Sequence, residues 1–144
     1  PCTTLSRARR KRLRTVEAPW GVGNLTEAEQ KQVEHGNGCI RITINIIRAC
    51  VRYKALFLLE NPLTSLLWNF VEFEQFLGHE QVHEVVADFC QFGIKWKKPT
   101  RFMAGNLSAE ETAAFGVRCH GSGGICSRTI KENLLVYLQK IFVA

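Results

Sequence analysis

The chain has no run of about eighteen apolar residues, so no membrane-spanning helix is expected and no membrane partner is read from it. Its basic start is followed by no apolar stretch, so no secretory signal is expected either. Methionine occurs once, at Met103, and the first residue is Pro1; the expectation is a piece of a longer translated chain. No internal repeat or low-complexity tract is present. The six cysteines (Cys2, Cys39, Cys50, Cys90, Cys119 and Cys126) include no CxxC pair. That scatter argues against a disulfide scaffold and predicts reduced thiols in an intracellular protein. The glycines of "HGSGGICS" lack the strand and the Lys-Thr that would frame a phosphate loop, so this stretch reads as a surface turn.

What is present fits one globular domain. The 144 residues are 46% hydrophobic, enough for a real core, and the net charge of +6 suggests an anionic partner. Basic residues cluster early, in "SRARRKRLR" (6–14), before the turn-rich "APWGVGN" (18–24). Residues 1–25 show no helical or strand period and are read as a loop. Its basic run is a solvated tail, a nuclear-import signal or a nucleic-acid contact.

Thr26 followed by Glu29 is a capping-box pattern that opens a helix to about Tyr53. Val33, Ile40, Ile44, Ile47 and Val51 fall on one face of it, while Gly36 and Gly38 weaken its middle. The isoleucines of 40–47 are also compatible with a strand. Ala55–Leu59 reads as a buried strand, and Thr64–Phe70 and Glu72–Leu77 as short helices. Val82–Phe89 and Thr100–Ala104 read as strands. Ser108 and Glu111 form a second capping box, opening a helix to Phe115. The final "NLLVYLQKIFVA" fits helix or strand. Alternating helix and strand signals favour a layered α/β sheet.

The apolar run "ALFLL" ends on Glu60-Asn61-Pro62. A turn needs no glutamate, and in open α/β sheets functional side chains lie beyond the carboxyl ends of strands. Pro1-Cys2, "FLLENP" and "FGIKWKKPTRFM", in this order, resemble the motifs of the DNA cytosine-5 methyltransferase superfamily. The similarity is closest to divergent methyltransferase-like segments of retroelement polyproteins, whose "CQFG-x-W-KKPTRF" and "CSRT" blocks are also matched. It spans Pro1 to about Arg128. Trp96 and Lys95 stand where the family has glutamine and proline, and the glycine-rich cofactor-binding segment is absent.

The resemblance implies a partial Rossmann-like α/β fold, three-layered with a mostly parallel sheet and lacking its N-terminal half. It divides the chain into a basic catalytic-type loop (1–25), a core (26–104) and a C-terminal extension (105–144). It implies that Cys2 attacks C6 of a flipped-out cytosine, with Glu60 on the ring N3 and exocyclic amine. Asn61 would shape the turn, and S-adenosylmethionine would supply the methyl group. Arg7, Arg9, Arg10 and Arg12 would meet phosphates, Lys98 and Thr100 would occupy the family's arginine positions, and Trp96 would stack on a base.

The function implied is that of an inactive remnant of such an enzyme, acting on nucleic acid and on DNA foremost. The alternative is a non-enzymatic segment of a mobile-element protein that binds nucleic acid or another partner. Cys90, Cys119, His120 and Cys126 offer metal-ligand chemistry without metal-site spacing, and buried structural thiols are the expectation. His79 and His83 lie four apart, but a strand around His83 argues against shared metal binding. Trp20 and Trp68 read as packing residues.

Overall fold

A computed structural model describes residues 4–6, 11–92 and 97–121. Helix α1 (Glu27–Arg52) dominates it, at 26 residues. The Thr26 hydroxyl accepts from the Glu29 amide at 3.4 Å, and the Glu29 carboxylate accepts from the Thr26 amide at 2.9 Å. Two orphan donors of the first turn are thereby satisfied, as the sequence predicts. The helix ends where Lys54 takes a left-handed conformation, φ 54°. The side-chain amide of Asn106 then donates to the carbonyls of Cys50 and Ala55, at 3.2 and 2.6 Å, closing the helix end against the sheet.

After α1 come β1 (Phe57–Pro62), a 3-10 turn (Leu66–Asn69), α2 (Val71–Leu77) and β2 (Val82–Asp88). A second 3-10 turn (Phe89–Phe92), β3 (Pro99–Gly105) and α3 (Ala109–Ala113) complete the described elements. The sheet order is β1-β3-β2, and β3 is antiparallel to both neighbours. β1 and β2 therefore run in the same direction with β3 slotted between them, a split βαβ arrangement.

This corrects the expected Rossmann-like, mostly parallel sheet. β1 is not an interior parallel strand either: among the described residues it is an antiparallel edge strand, and it continues through Glu60, Asn61 and Pro62. The physical reason lies in what an apolar run encodes. A run without alternation reports cover on both faces, and β1 has it in part. Phe57 and Leu59 are half-buried against one core and Leu58 against the other, while Ala55 and Leu56, expected in the buried strand, lie exposed before it. Cover on two faces is common in parallel sheets, but it fixes neither the direction nor the number of neighbouring strands. Pro62 is at home here, because a proline without an amide hydrogen is tolerated on an edge.

The two faces are covered unequally. On one, Phe57, Leu59, Val82 and Met103 share a core with Ile40, Ile44 and Ile47 of α1, with Leu66, Leu67, Phe70 and Phe73, and with Leu5. On the other, Leu58, Val85, Ala87, Phe102 and Ala104 pack against Phe89, Phe92, Leu107, Phe115 and Val117. The helical face predicted for α1 is the one that is buried, with Val33 on it and Val51 at its margin. The predicted weakening at Gly36 and Gly38 causes no break; α1 is continuous.

Gly36 has another purpose. A β-carbon there would come within 2.8 Å of both the Arg14 guanidinium and the Thr4 hydroxyl. Arg14, the last arginine of the basic run, is completely buried against α1 at this point. It donates to the Thr4 hydroxyl at 3.2 Å, the Pro19 carbonyl at 2.6 Å, the Asn37 side-chain oxygen at 2.7 Å and the Val33 carbonyl at 2.9 Å. Asn37 extends the network by donating to the Trp20 carbonyl at 2.9 Å. Burial holds the Arg14 pKa below the ordinary guanidinium value. The described part of residues 1–25 is thus clamped onto α1, and Leu5 joins the core below it.

Candidate functional site

Glu60 lies on β1 opposite Phe102, on the same face of the strand as Leu58 and therefore on the α3 side of the sheet. Its carboxylate meets the Lys98 ammonium at 3.3 Å, and both side chains are about one-third exposed, 36% and 35%. Lys98 also lies 4.6 Å from the centroid of the Phe89 ring. Asn61, next along the strand, points to the opposite face and is buried, and its side-chain oxygen has no hydrogen-bond partner among the described residues. Glu60 and Asn61 do not converge on one ligand. Thr100 is fully buried and donates its hydroxyl to the Lys98 carbonyl at 3.2 Å.

Of the expected nucleic-acid contacts, Arg12 is exposed, while Arg7, Arg9 and Arg10 lie outside the described residues. So do Cys2, Trp96 and Cys126, the "CSRT" block and the final "NLLVYLQKIFVA". Lys11, from the same basic run, is held by Glu29 at 2.6 Å. Cys90 and Cys119 are buried, His120 is exposed, and no group of three metal-ligating side chains occurs among the described residues. The Cys119 amide and the Arg118 guanidinium both donate to one oxygen of the buried Asp88, at 2.7 and 3.0 Å. That ties the chain after α3 to the end of β2. Trp20 and Trp68 pack as expected: Trp20 meets Phe70 edge-on at 4.8 Å, and the Trp68 indole donates to the Pro62 carbonyl at 2.9 Å.

The surface that sequence reasoning missed is the outward face of α1. Ile42, Ile46 and Tyr53 are 61%, 56% and 73% exposed. With Ala49, also exposed, they recur at intervals of four, three and four, which is a single stripe on a helix. Beside it runs a second stripe, Arg41, Asn45, Arg48 and Arg52, all exposed. No aspartate or glutamate occurs from residue 35 to residue 59. The signal was present in the isoleucine spacing. In "IRITINII" the buried face takes Ile40, Ile44 and Ile47 and leaves Ile42 and Ile46 outside.

Between the arginine stripe and α2 lies a cavity of about 280 Å³, lined by Trp20, Arg41, Ile44, Asn45, Arg48 and Glu72. Arg41 covers the Trp20 ring at 5.2 Å. One carboxylate oxygen of Glu72 is buried without a hydrogen-bond partner among the described residues. Two arginines and one carboxylate thus line this cavity.

No helix among the described residues is long and apolar enough to cross a membrane. Comparison of the chain with protein families, characterised proteins and solved structures found no match.

Proposed function

We propose that the chain is a non-enzymatic interaction module whose working surface is the outward face of α1, where it docks another helix. The observation that carries this reading is the exposed stripe of Ile42, Ile46, Ala49 and Tyr53. Scattered exposed apolar residues are ordinary on a protein surface. Aligned ones flanked by like charges form the kind of face that amphipathic helices use to recognise each other. Nothing in the packing of the described residues requires isoleucine at 42 or 46, since neither belongs to either core.

Methyl transfer is not part of this reading. The resemblance behind it implies a parallel sheet with Glu60 beyond a strand's carboxyl end, and Glu60 instead lies within a strand antiparallel to its neighbour, facing Lys98. Nucleic-acid binding is less favoured than docking. Arg14 is taken up by the fold and Lys11 and Lys98 are paired with carboxylates, and the exposed Arg41, Arg48 and Arg52 lie beside an apolar stripe that phosphates would leave uncovered.

The test is fluorescence anisotropy with two probes. One is a stapled amphipathic helix of leucine and glutamate, cut to the length of residues 41–53; the other is a labelled DNA oligonucleotide. The helix is expected to bind, and Ile42→Ser/Ile46→Ser is expected to weaken it at least about tenfold, as loss of two apolar anchors implies. Binding of DNA alone, unaffected by the serine substitutions, would contradict the reading.

A further inference from the structure

Helix α1 carries opposite charges in its two halves, and they lie on one stripe. Glu27, Glu34, Arg41 and Arg48 follow one another at intervals of seven residues, so they stack along a single line with little drift. Gln30 and Asn45 fall on the same line. All six are exposed. The order along the helix is therefore Glu-Gln-Glu, then Arg-Asn-Arg, arranged symmetrically about the point between Asn37 and Gly38.

From this symmetry we infer that the partner docked on the outward face is a second copy of the same chain, its α1 antiparallel to the first. The inference rests on the docking reading given above and names the occupant. In an antiparallel pair the two copies of this stripe face each other, and a residue meets the one equally far from the midpoint. Glu27 then meets Arg48 of the second copy, Glu34 meets Arg41, and Gln30 meets Asn45. The twofold axis repeats each contact, as an isologous interface requires. In a parallel pair this stripe, which lies to one side of the apolar seam, would face the opposite flank of the second copy, and its complementary halves would not meet. A long partner helix acidic throughout would meet Arg41 and Arg48 well but would be repelled by Glu27 and Glu34. A second copy uses both halves. Within one helix Glu27 also meets Lys31 at 2.7 Å and Glu34 accepts from the Gln30 side chain at 3.0 Å; these side chains are open to water, so the contacts are weak and free to exchange for others.

The apolar stripe lies beside the charged one and forms the seam. In the same alignment Ile42 falls between Lys31 and His35 of the second copy, Ala49 lies beside Ala28, and Ile46 lies along the stem of Lys31, whose head reaches water. Gly38 stands at the centre, and a β-carbon there would meet nothing within 4 Å. Its missing side chain allows two helices to approach closely where they cross, a reason for glycine in a position that a helix otherwise tolerates poorly. Ala28, Lys31 and His35 are exposed, as are Ile42, Ile46 and Ala49, so both halves of the seam are open to solvent. With two isoleucines and two alanines per copy, the seam is small. Charge complementarity sets the register of the pair.

The experiment is sedimentation velocity of the full chain over roughly 1 to 200 µM, the range in which a small transient interface associates. It compares the unaltered protein, Glu27→Arg/Glu34→Arg, Arg41→Glu/Arg48→Glu, and an equimolar mixture of the two variants. Circular dichroism of each variant establishes that it is folded. The unaltered chain is expected to dimerise with rising concentration and to dissociate in high salt. In the first variant all four charges on the stripe are positive, and in the second all four are negative. Each alone is therefore expected to remain monomeric, and the mixture is expected to recover association, because every contact between the two variants is attractive.

A further pair of variants fixes the direction. Glu27→Arg alone turns two contacts of the antiparallel pair repulsive and is expected to weaken association. Adding Arg48→Glu to it restores opposite charges at those contacts and is expected to return dimerisation to the level of the unaltered chain. An unaltered chain that stays monomeric to the highest concentration would overturn the inference. So would folded charge variants that dimerise as well as it does, or a mixture that stays monomeric. If the chain is monomeric yet binds the leucine–glutamate helix through Ile42 and Ile46, the occupant named here is wrong and the docking reading stands.

Discussion

On the inward face of α1, Val33, Ile40, Ile44 and Ile47 are buried, and Gly36 and Asn37 receive a buried arginine held by oxygens of Thr4, Pro19, Val33 and Asn37. On the outward face, Ile42, Ile46, Ala49 and Tyr53 are in water beside Arg41, Arg48 and Arg52. The same residue type, isoleucine, supplies both faces. Its position on the 3.6-residue period decides which one it serves. The inward face accounts for stability, and the outward face is left for recognition.

Substitutions on the inward face are expected to have the largest effect. Arg14→Ala removes the donor that satisfies the Thr4 hydroxyl, the Asn37 side chain and the carbonyls of Val33 and Pro19. It leaves buried acceptors unpaired, and the expected loss is about 4 kcal/mol in a denaturant titration. Ile44→Ala follows, at about 3 kcal/mol, from lost burial and the cavity left in the core.

Loss of the helix cap is expected to cost less. Thr26→Ala is expected to lower stability by about 1 kcal/mol by removing an acceptor for the Glu29 amide. The same cap has a pH signature. The hydrogen bond from Lys11, together with the one from the Thr26 backbone, lowers the Glu29 pKa from 4.5 to about 2. A carboxylate whose pKa is lowered on folding contributes stability that is complete above its unfolded value and is lost as pH falls toward the folded one. Stability is therefore expected to decline from about pH 4.5 towards pH 2, and Glu29→Gln is expected to flatten that decline. Unfolding titrations at several acid pH values read it directly.

Much of the local structure was legible in the sequence, for identifiable reasons. Both capping boxes, Thr26 with Glu29 and Ser108 with Glu111, form as the local pattern dictates. The inward stripe of α1 follows from its period, and β2 and β3 from β-branched runs and the proline before Thr100. Strand pairing was not legible. Phe57, Leu58 and Leu59 are covered on two faces, and that cover looks the same beside a parallel or an antiparallel neighbour. Arg14 was equally hidden, being one basic residue among several. Its counterpart was visible only as Gly36-Asn37, two poor helix formers in the middle of a long helix. Glu60 invites a catalytic reading when it is placed beyond the strand, whereas β1 runs on through it and gives it Lys98 as a neighbour.

The separation of the two faces of α1 is tested most directly by measuring unfolding and helix binding on the same protein, Ile42→Ser/Ile46→Ser. Neither isoleucine belongs to a core, so the stability is expected to stay within about 0.5 kcal/mol per site of that of the unaltered chain, while binding of the leucine–glutamate helix weakens at least about tenfold. A fall in stability of the size expected for Ile44→Ala, or full binding by the serine variant, would contradict the account.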